Sequence, residues 1–152
     1  MRKLISAFIL AITLVAPAPA HAETEPTKSC PQYEAMLRQY GLPVKEMSYI
    51  LWRESKCEPK AIGWNYKKGK GPQDCVLSPA PTYRHCNAVS SYDIGISQIN
   101  SGWKTVVAKV CHRPRRQLIK SLTNPSCNLK VAKYLYDHGG LAHWRGSSGN
   151  NK

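Results

Sequence analysis

The sequence lacks any C-x-x-C pair, although it contains six cysteines. This absence argues against a zinc ribbon and against a thioredoxin-type redox motif. The adjacent pairs His85-Cys86 and Cys111-His112 do not have metal-ligand spacing either, so we expect no metal site and no cofactor. An even cysteine count favours three disulfides in an oxidising compartment. The six residues are Cys30, Cys57, Cys75, Cys86, Cys111 and Cys127. Their pairing stays open at this point, with Cys75–Cys86 preferred because it would close a short loop.

Long apolar runs are also scarce, and the only one occupies residues 4–15. Arg2 and Lys3 precede it, and a small-x-small cleavage site follows at 20–22. A membrane-spanning helix needs about 20 apolar residues, which is more than this run provides. We therefore predict that residues 1–22 are a cleaved secretory signal. The rest should be exported to the periplasm or secreted, without stable membrane insertion.

Acidic residues are few: 9 Asp and Glu stand against 22 Lys and Arg, which gives a formal charge of +13. A cationic exported protein is attracted to polyanions such as nucleic acid, a membrane surface or an anionic cell wall. Export argues against nucleic acid as a partner, and no stretch is clearly a basic amphipathic helix of a membrane-active peptide. The basic clusters at 67–70 and 113–116 are interpreted as solvated turns or a helix start.

The sequence contains no internal repeat and no linker long enough to divide it. We predict a disordered leader at 23–29, one monomeric domain at 30–145 and a disordered tail at 146–152. Residues 63–91 are rich in Gly, Pro, Lys and Asn and predict a hairpin or looped lobe. The fold class is α+β with helix dominant. Apolar residues at helical spacing predict helices within 33–40, 44–55, 106–110, 114–122 and 129–139.

Two carboxylates occupy contrasting surroundings. Glu54 continues the apolar face of the second helix, so it should emerge at the end of a buried stripe, where burial favours the protonated form. Asp93 is predicted to lie in a Gly-containing turn. One protonated and one ionised carboxylate is the arrangement that cleaves a glycosidic bond. The alternative is that Glu54 is an ordinary surface residue beside Arg53 and Lys56.

The motifs resemble those of the lysozyme-like superfamily. They are Glu54-Ser55, Pro59-x-Ala61 and the run DIGISQINS at 93–101. The run NPSCNL at 124–129 resembles the small lytic transglycosylases that accompany secretion and conjugation systems. Residues 93–103 and the last helix, with Trp144 after it, equally resemble animal-type lysozymes and phage-type endolysins. The resemblance covers about 30–144 and implies a lysozyme-like fold with a small irregular or β lobe.

The resemblance also implies roles for individual residues. Glu54 matches the catalytic acid, and Asp93 falls where lysozymes keep their second carboxylate. By the same resemblance, Ser55 supports the acid. Gln98 and Asn100 line the cleft, Trp103 stacks on sugars and Trp144 borders the pocket of the acid. The resemblance and the chain order together suggest the pairs Cys30–Cys57, Cys75–Cys86 and Cys111–Cys127.

The chain departs from both patterns within the superfamily. The interval from Glu54 to Asp93 is longer than in animal lysozymes because 63–91 is expanded, and Ser97 stands where transglycosylases usually carry Met. The resemblance implies cleavage of the β-1,4 bond after N-acetylmuramic acid in peptidoglycan. A lytic transglycosylase is preferred, with a hydrolytic muramidase using Glu54 and Asp93 as the alternative. A non-catalytic glycan-binding protein and a cationic antibacterial protein are the remaining alternatives. The partners implied are glycan strands and a cell-envelope secretion apparatus.

Overall fold

The structure is a computed structural model that describes residues 28–75 and 86–145. The predicted signal at 1–22, nearly all of the leader at 23–29 and the tail at 146–152 lie outside the described residues. The described helices are α1 (Pro31–Gln39), α2 (Val44–Ser55), α3 (Lys104–Val110), α4 (Leu118–Leu122) and α5 (Pro125–Gly139). Between α2 and α3, the chain forms three strands: β1 (Ile62–Tyr66), β2 (Val89–Ile94) and β3 (Ile99–Asn100). Short 3₁₀ turns cover Pro72–Cys75, Ser101–Trp103, Arg115–Gln117 and Gly140–Trp144.

The α+β class with helix dominant is confirmed. In the described ranges no helix is both long enough and apolar enough to cross a bilayer. The three strands form one antiparallel sheet in the order β1-β2-β3. Asp93 stands opposite Gly63 on β1 and opposite Asn100 on β3. The prediction that Asp93 lies in a turn is therefore wrong: it is a residue of β2, and the turn begins at Gly95.

Apolar residues at helical spacing form one core, as their periodicity predicted. Pro114 does not begin a helix as expected. Its backbone is extended, with ψ 144°, and it precedes the 3₁₀ turn Arg115–Gln117, so α4 begins only at Leu118. The fully buried side chains of the core include Leu37, Met47, Leu51, Ile94, Ile96, Leu122, Leu129 and Val131.

Three disulfides cross-link the chain: Cys30–Cys57, Cys75–Cys86 and Cys111–Cys127. These are the pairs that the resemblance suggested. The first joins the start of α1 to the end of α2 across a sequence separation of 27. In the chain-entropy model, closing a loop of that size stabilises the fold by about 3–4 kcal/mol. This bond therefore holds the end of α2, which carries Glu54.

Candidate active site

Glu54 lies in the last turn of α2, which ends at Ser55, and only 11% of its side chain is exposed. Its Oε1 accepts hydrogen bonds from Nε and Nη2 of Arg53, at 3.0 and 2.5 Å. The same Nη2 donates to the backbone carbonyl of Trp144. The guanidinium of Arg53 thus connects the Glu54 carboxylate to the last 3₁₀ turn, and a planar fork fixes orientation as well as position.

Two further hydrogen bonds bring the end of α2 and the last 3₁₀ turn to the loop after β2. The Ser55 hydroxyl is buried and lies 3.0 Å from the carbonyl oxygen of Leu51 and 2.9 Å from that of Ile96. The indole Nε1 of Trp144, itself buried, donates to the carbonyl of Ser97 at 2.9 Å. Ser55 therefore supports the position of Glu54, and its hydroxyl is engaged with the backbone.

The turn between β2 and β3 has a conformation that its sequence enforces. Gly95 has φ +78°, and a Cβ there would overlap the carbonyl of Leu122 and the side-chain amide of Asn128. Asn128 is fully buried on α5. Its Nδ2 donates to the carbonyls of Ile94 and Leu122 at 2.9 and 3.0 Å. Its Oδ1 accepts from the backbone N–H of Ser97 at 3.1 Å and from the Ser97 hydroxyl at 2.5 Å. One side chain of α5 thus fixes both ends of this turn.

Asp93 is held by two side-chain amides on one face of the sheet. Its Oδ2 accepts from Nδ2 of Asn65 on β1, and its Oδ1 accepts from Nδ2 of Asn100 on β3, both at 2.8 Å. The same two amides reach the hydroxyl of Ser91 at 3.1 and 3.2 Å. Ser91 and Asp93 are two residues apart on β2, so their side chains share a face. The carboxylate is thereby oriented through both of its oxygens.

The two carboxylates belong to one region of the molecule. Ile96 follows Asp93 by three residues, which spans at most about 11 Å of extended chain. The carbonyl of Ile96 in turn bonds the hydroxyl of Ser55, which is the neighbour of Glu54. The surroundings differ: Glu54 is contacted by a guanidinium at a shielded helix end, and Asp93 by neutral amides on a sheet.

The other predicted site residues lie around this region. Gln98 has φ +49°, and its Nε2 donates to the carbonyl of Gly95 at 2.9 Å. Trp103 is 37% exposed, which suits an indole that stacks on a ligand. His143 lies edge-on to Trp103 and to Trp144, with ring centroids 5.8 and 6.0 Å apart. Trp103, His143 and Trp144 therefore form a row of three rings. At its end, the backbone carbonyl of Trp144 accepts the hydrogen bond from Arg53.

Several residues of this region were missed by the sequence analysis. Arg53 was considered only as a reason to doubt Glu54, and His143 was not considered. Alternating polar residues in β2 could have indicated that Ser91 shares a face with Asp93. No local pattern indicates Asn65, because its contact with Asp93 depends on a strand pairing across 28 residues.

Among residues 28–75 and 86–145 there is no group of three His, Cys, Asp or Glu side chains that could hold a metal ion. No protein-family model, curated protein or solved structure matches the chain. The resemblance to the lysozyme-like superfamily therefore stays a prediction from the sequence motifs.

Proposed function

We propose that the protein is an exported glycosidase that cleaves the β-1,4 bond after N-acetylmuramic acid in peptidoglycan. The observation that supports this most is the pair of carboxylates in one region, held by partners of different chemistry. Glycosidases of the common two-carboxylate type need one carboxyl to protonate the leaving oxygen and another to act on the opposite side of the sugar. Glu54, shielded at the end of α2, is assigned the first role. Asp93 is assigned the second.

In this mechanism the proton of Glu54 goes to the glycosidic oxygen as the bond to the sugar carbon breaks. The positive charge that develops on the sugar ring is stabilised by Asp93, whose two oxygens are already oriented by Asn65 and Asn100. Groups oriented before the reaction stabilise such charge without reorganisation during it. The exposed face of Trp103 provides a surface for a neighbouring sugar of the glycan strand.

Two reactions can follow from the same first step. If water attacks the sugar carbon and loses a proton to Glu54, the product has a reducing end and the protein is a muramidase. If the 6-hydroxyl of the muramic acid attacks, after losing its proton to Glu54, the product is a 1,6-anhydro sugar and the protein is a lytic transglycosylase. The double amide contact to Asp93 favours the muramidase, because an oriented second carboxylate is what that route uses. The run at 124–129 favours the transglycosylase, which the sequence alone prefers and which becomes the second candidate here.

Mass spectrometry of the fragments released from purified peptidoglycan tests the proposal. Glu54→Gln keeps the shape of the side chain and removes the acid, so release should fall by a factor of about 100 or more. Glu46→Gln is the matched control, because Glu46 lies exposed on the same helix. It should release fragments at the wild-type rate. Equal release by Glu54→Gln and wild type, or no release by either, would leave no catalytic role for this site.

Asp93→Asn separates the two reactions. Reducing ends from the wild type and a large loss in Asp93→Asn would establish the muramidase. Anhydro ends from the wild type, with turnover retained in Asp93→Asn, would establish the transglycosylase. The variant places an amide N–H₂ against the amide of Asn65 or Asn100, so its folding must be checked by thermal unfolding before its activity is interpreted.

A further inference from the structure

A concave site lies away from the Asp93 side chain. It is an open cavity of about 660 Å³ formed where the turn Arg115–Gln117 and α4 meet β2 and the start of α3. Its apolar lining comes from Tyr92, Leu118 and Ile119. Tyr92 precedes Asp93 on β2, and successive side chains of a strand point to opposite faces. The cavity therefore lies on the side of the sheet opposite to the Asp93 cluster.

Of the described residues that line this cavity, four are cations and none is acidic. Lys104, Arg115, Arg116 and Lys120 all contribute to the wall and are exposed. Within the part of the chain that the structure describes, no ion pair engages Lys104, Arg115 or Lys120. Like charges placed together repel one another, and an anionic ligand relieves that repulsion. Four cations thus share one concave surface.

The chemistry of the lining indicates what the cavity takes. Adjacent arginines suit anions that accept forked hydrogen bonds, and phosphate is the anion that arginine clusters commonly recognise. The volume lies in the range of sites for organic ligands, and an apolar floor suits an organic body that carries the phosphate. Hence the ligand should be larger than inorganic phosphate.

The surroundings favour a soluble ligand over a bilayer. Proteins that dock on membranes combine cations with exposed apolar side chains that enter the lipid. Of the described residues, the large apolar side chains that are exposed are Tyr49 and Trp103, and neither lines the cavity. We propose that this cavity is a binding site for the phosphate groups of a soluble phosphodiester polymer, separate from the cleavage site and independent of whether the protein cleaves glycans.

The test measures binding of a glycerol phosphate oligomer by isothermal titration calorimetry at physiological salt. The site variant combines Lys104→Gln, Arg115→Gln and Lys120→Gln, which leaves Arg116 in place. The matched control combines Lys45→Gln, Lys67→Gln and Lys68→Gln, three exposed lysines outside the cavity. Both variants lose the same charge, so only the location of the loss differs. Thermal unfolding confirms that both are folded.

We expect the site variant to bind about tenfold more weakly or worse, since hydrogen bonds to charged groups are among the strong ones. The control should weaken binding by less than about threefold, as screened surface charges do. An equal loss in both variants would mean attraction by net charge alone and would overturn the proposal. So would the absence of binding by the wild type. Equal affinity for oligoglutamate would overturn phosphate recognition, and tighter binding to phosphatidylglycerol vesicles would overturn the soluble ligand.

Discussion

Removal of the Asn128 side chain should lower the free energy of unfolding strongly. It is fully buried; its Nδ2 donates to the carbonyls of Ile94 and Leu122, and its Oδ1 accepts from the backbone N–H and the hydroxyl of Ser97. Asn128→Ala removes all four bonds at once. It also leaves a cavity between α5 and the turn after β2, because the truncated side chain is fully buried.

The magnitude follows from the groups that lose a partner. A buried polar group without a hydrogen bond costs about 1–3 kcal/mol, and water that enters the cavity recovers part of this. Losses within one cluster are not additive. For Asn128→Ala we expect the free energy of unfolding to fall by about 3–5 kcal/mol, a large share of the 5–15 kcal/mol of a typical domain.

Denaturant unfolding with the disulfides intact measures this loss. Asn87→Ala is the control, because Asn87 is exposed; it should stay within about 0.5 kcal/mol of the wild type. Asn128→Asp distinguishes hydrogen bonding from packing. It preserves the volume but sets an oxygen against the carbonyls of Ile94 and Leu122, so it should also cost several kcal/mol. If Asn128→Ala costs less than about 1 kcal/mol, the turn is not held as we describe.

Three further outcomes are expected. Gly95→Ala should destabilise by about 2–4 kcal/mol in the same unfolding assay, since φ is +78° and a Cβ would overlap its neighbours; wild-type stability would contradict the geometry. Arg53→Lys keeps the charge but loses the fork that orients the proposed acid, so release of fragments should fall about tenfold with stability changed by less than about 1 kcal/mol. The backbone N–H of Gly71, then the Lys70 side chain, lower the pKa of Asp74. These contacts to the ionised Asp74 therefore stabilise the fold above about pH 4, and the stabilisation is lost as pH falls through the lowered pKa of the folded state. In Lys70→Met, an NMR titration of the carboxyl groups should show a higher pKa for Asp74 than in the wild type.

The sequence predicted the helices well and the strands poorly, for a physical reason. Apolar periodicity marks α2 and α5 because each buries a continuous stripe over three or more turns. β3 has only two residues, and its strand conformation comes from pairing with β2. Asp93 was assigned to a turn because Gly95 follows it closely, whereas the pairing with Gly63 and Asn100 makes it part of a strand.

The sequence motifs pointed to the residues of the candidate site, but not to the hydrogen bonds that hold those residues in place. Glu54, Ser55 and Trp144 are brought together as the motifs suggested, through short local signatures. The amide contact from Asn65 and the two-sided role of Asn128 depend on elements that meet only in the folded chain. No single stretch of sequence contains that information.

The region around Glu54 depends on three segments that are distant in sequence. The end of α2, the turn after β2 and the last 3₁₀ turn are joined by three hydrogen bonds. They run from the Ser55 hydroxyl to the carbonyl of Ile96, from the Trp144 indole to the carbonyl of Ser97, and from Arg53 to the carbonyl of Trp144. Two of these three contacts use side chains that are themselves buried, so the shape of the region is set by the core and not by mobile surface groups. Each carboxylate is then positioned by its own element. Glu54 is held by a helix end and a guanidinium, and Asp93 by a sheet and two amides. The two carboxylates thus differ in the partners that hold them, and the proposed cleavage assigns them different roles.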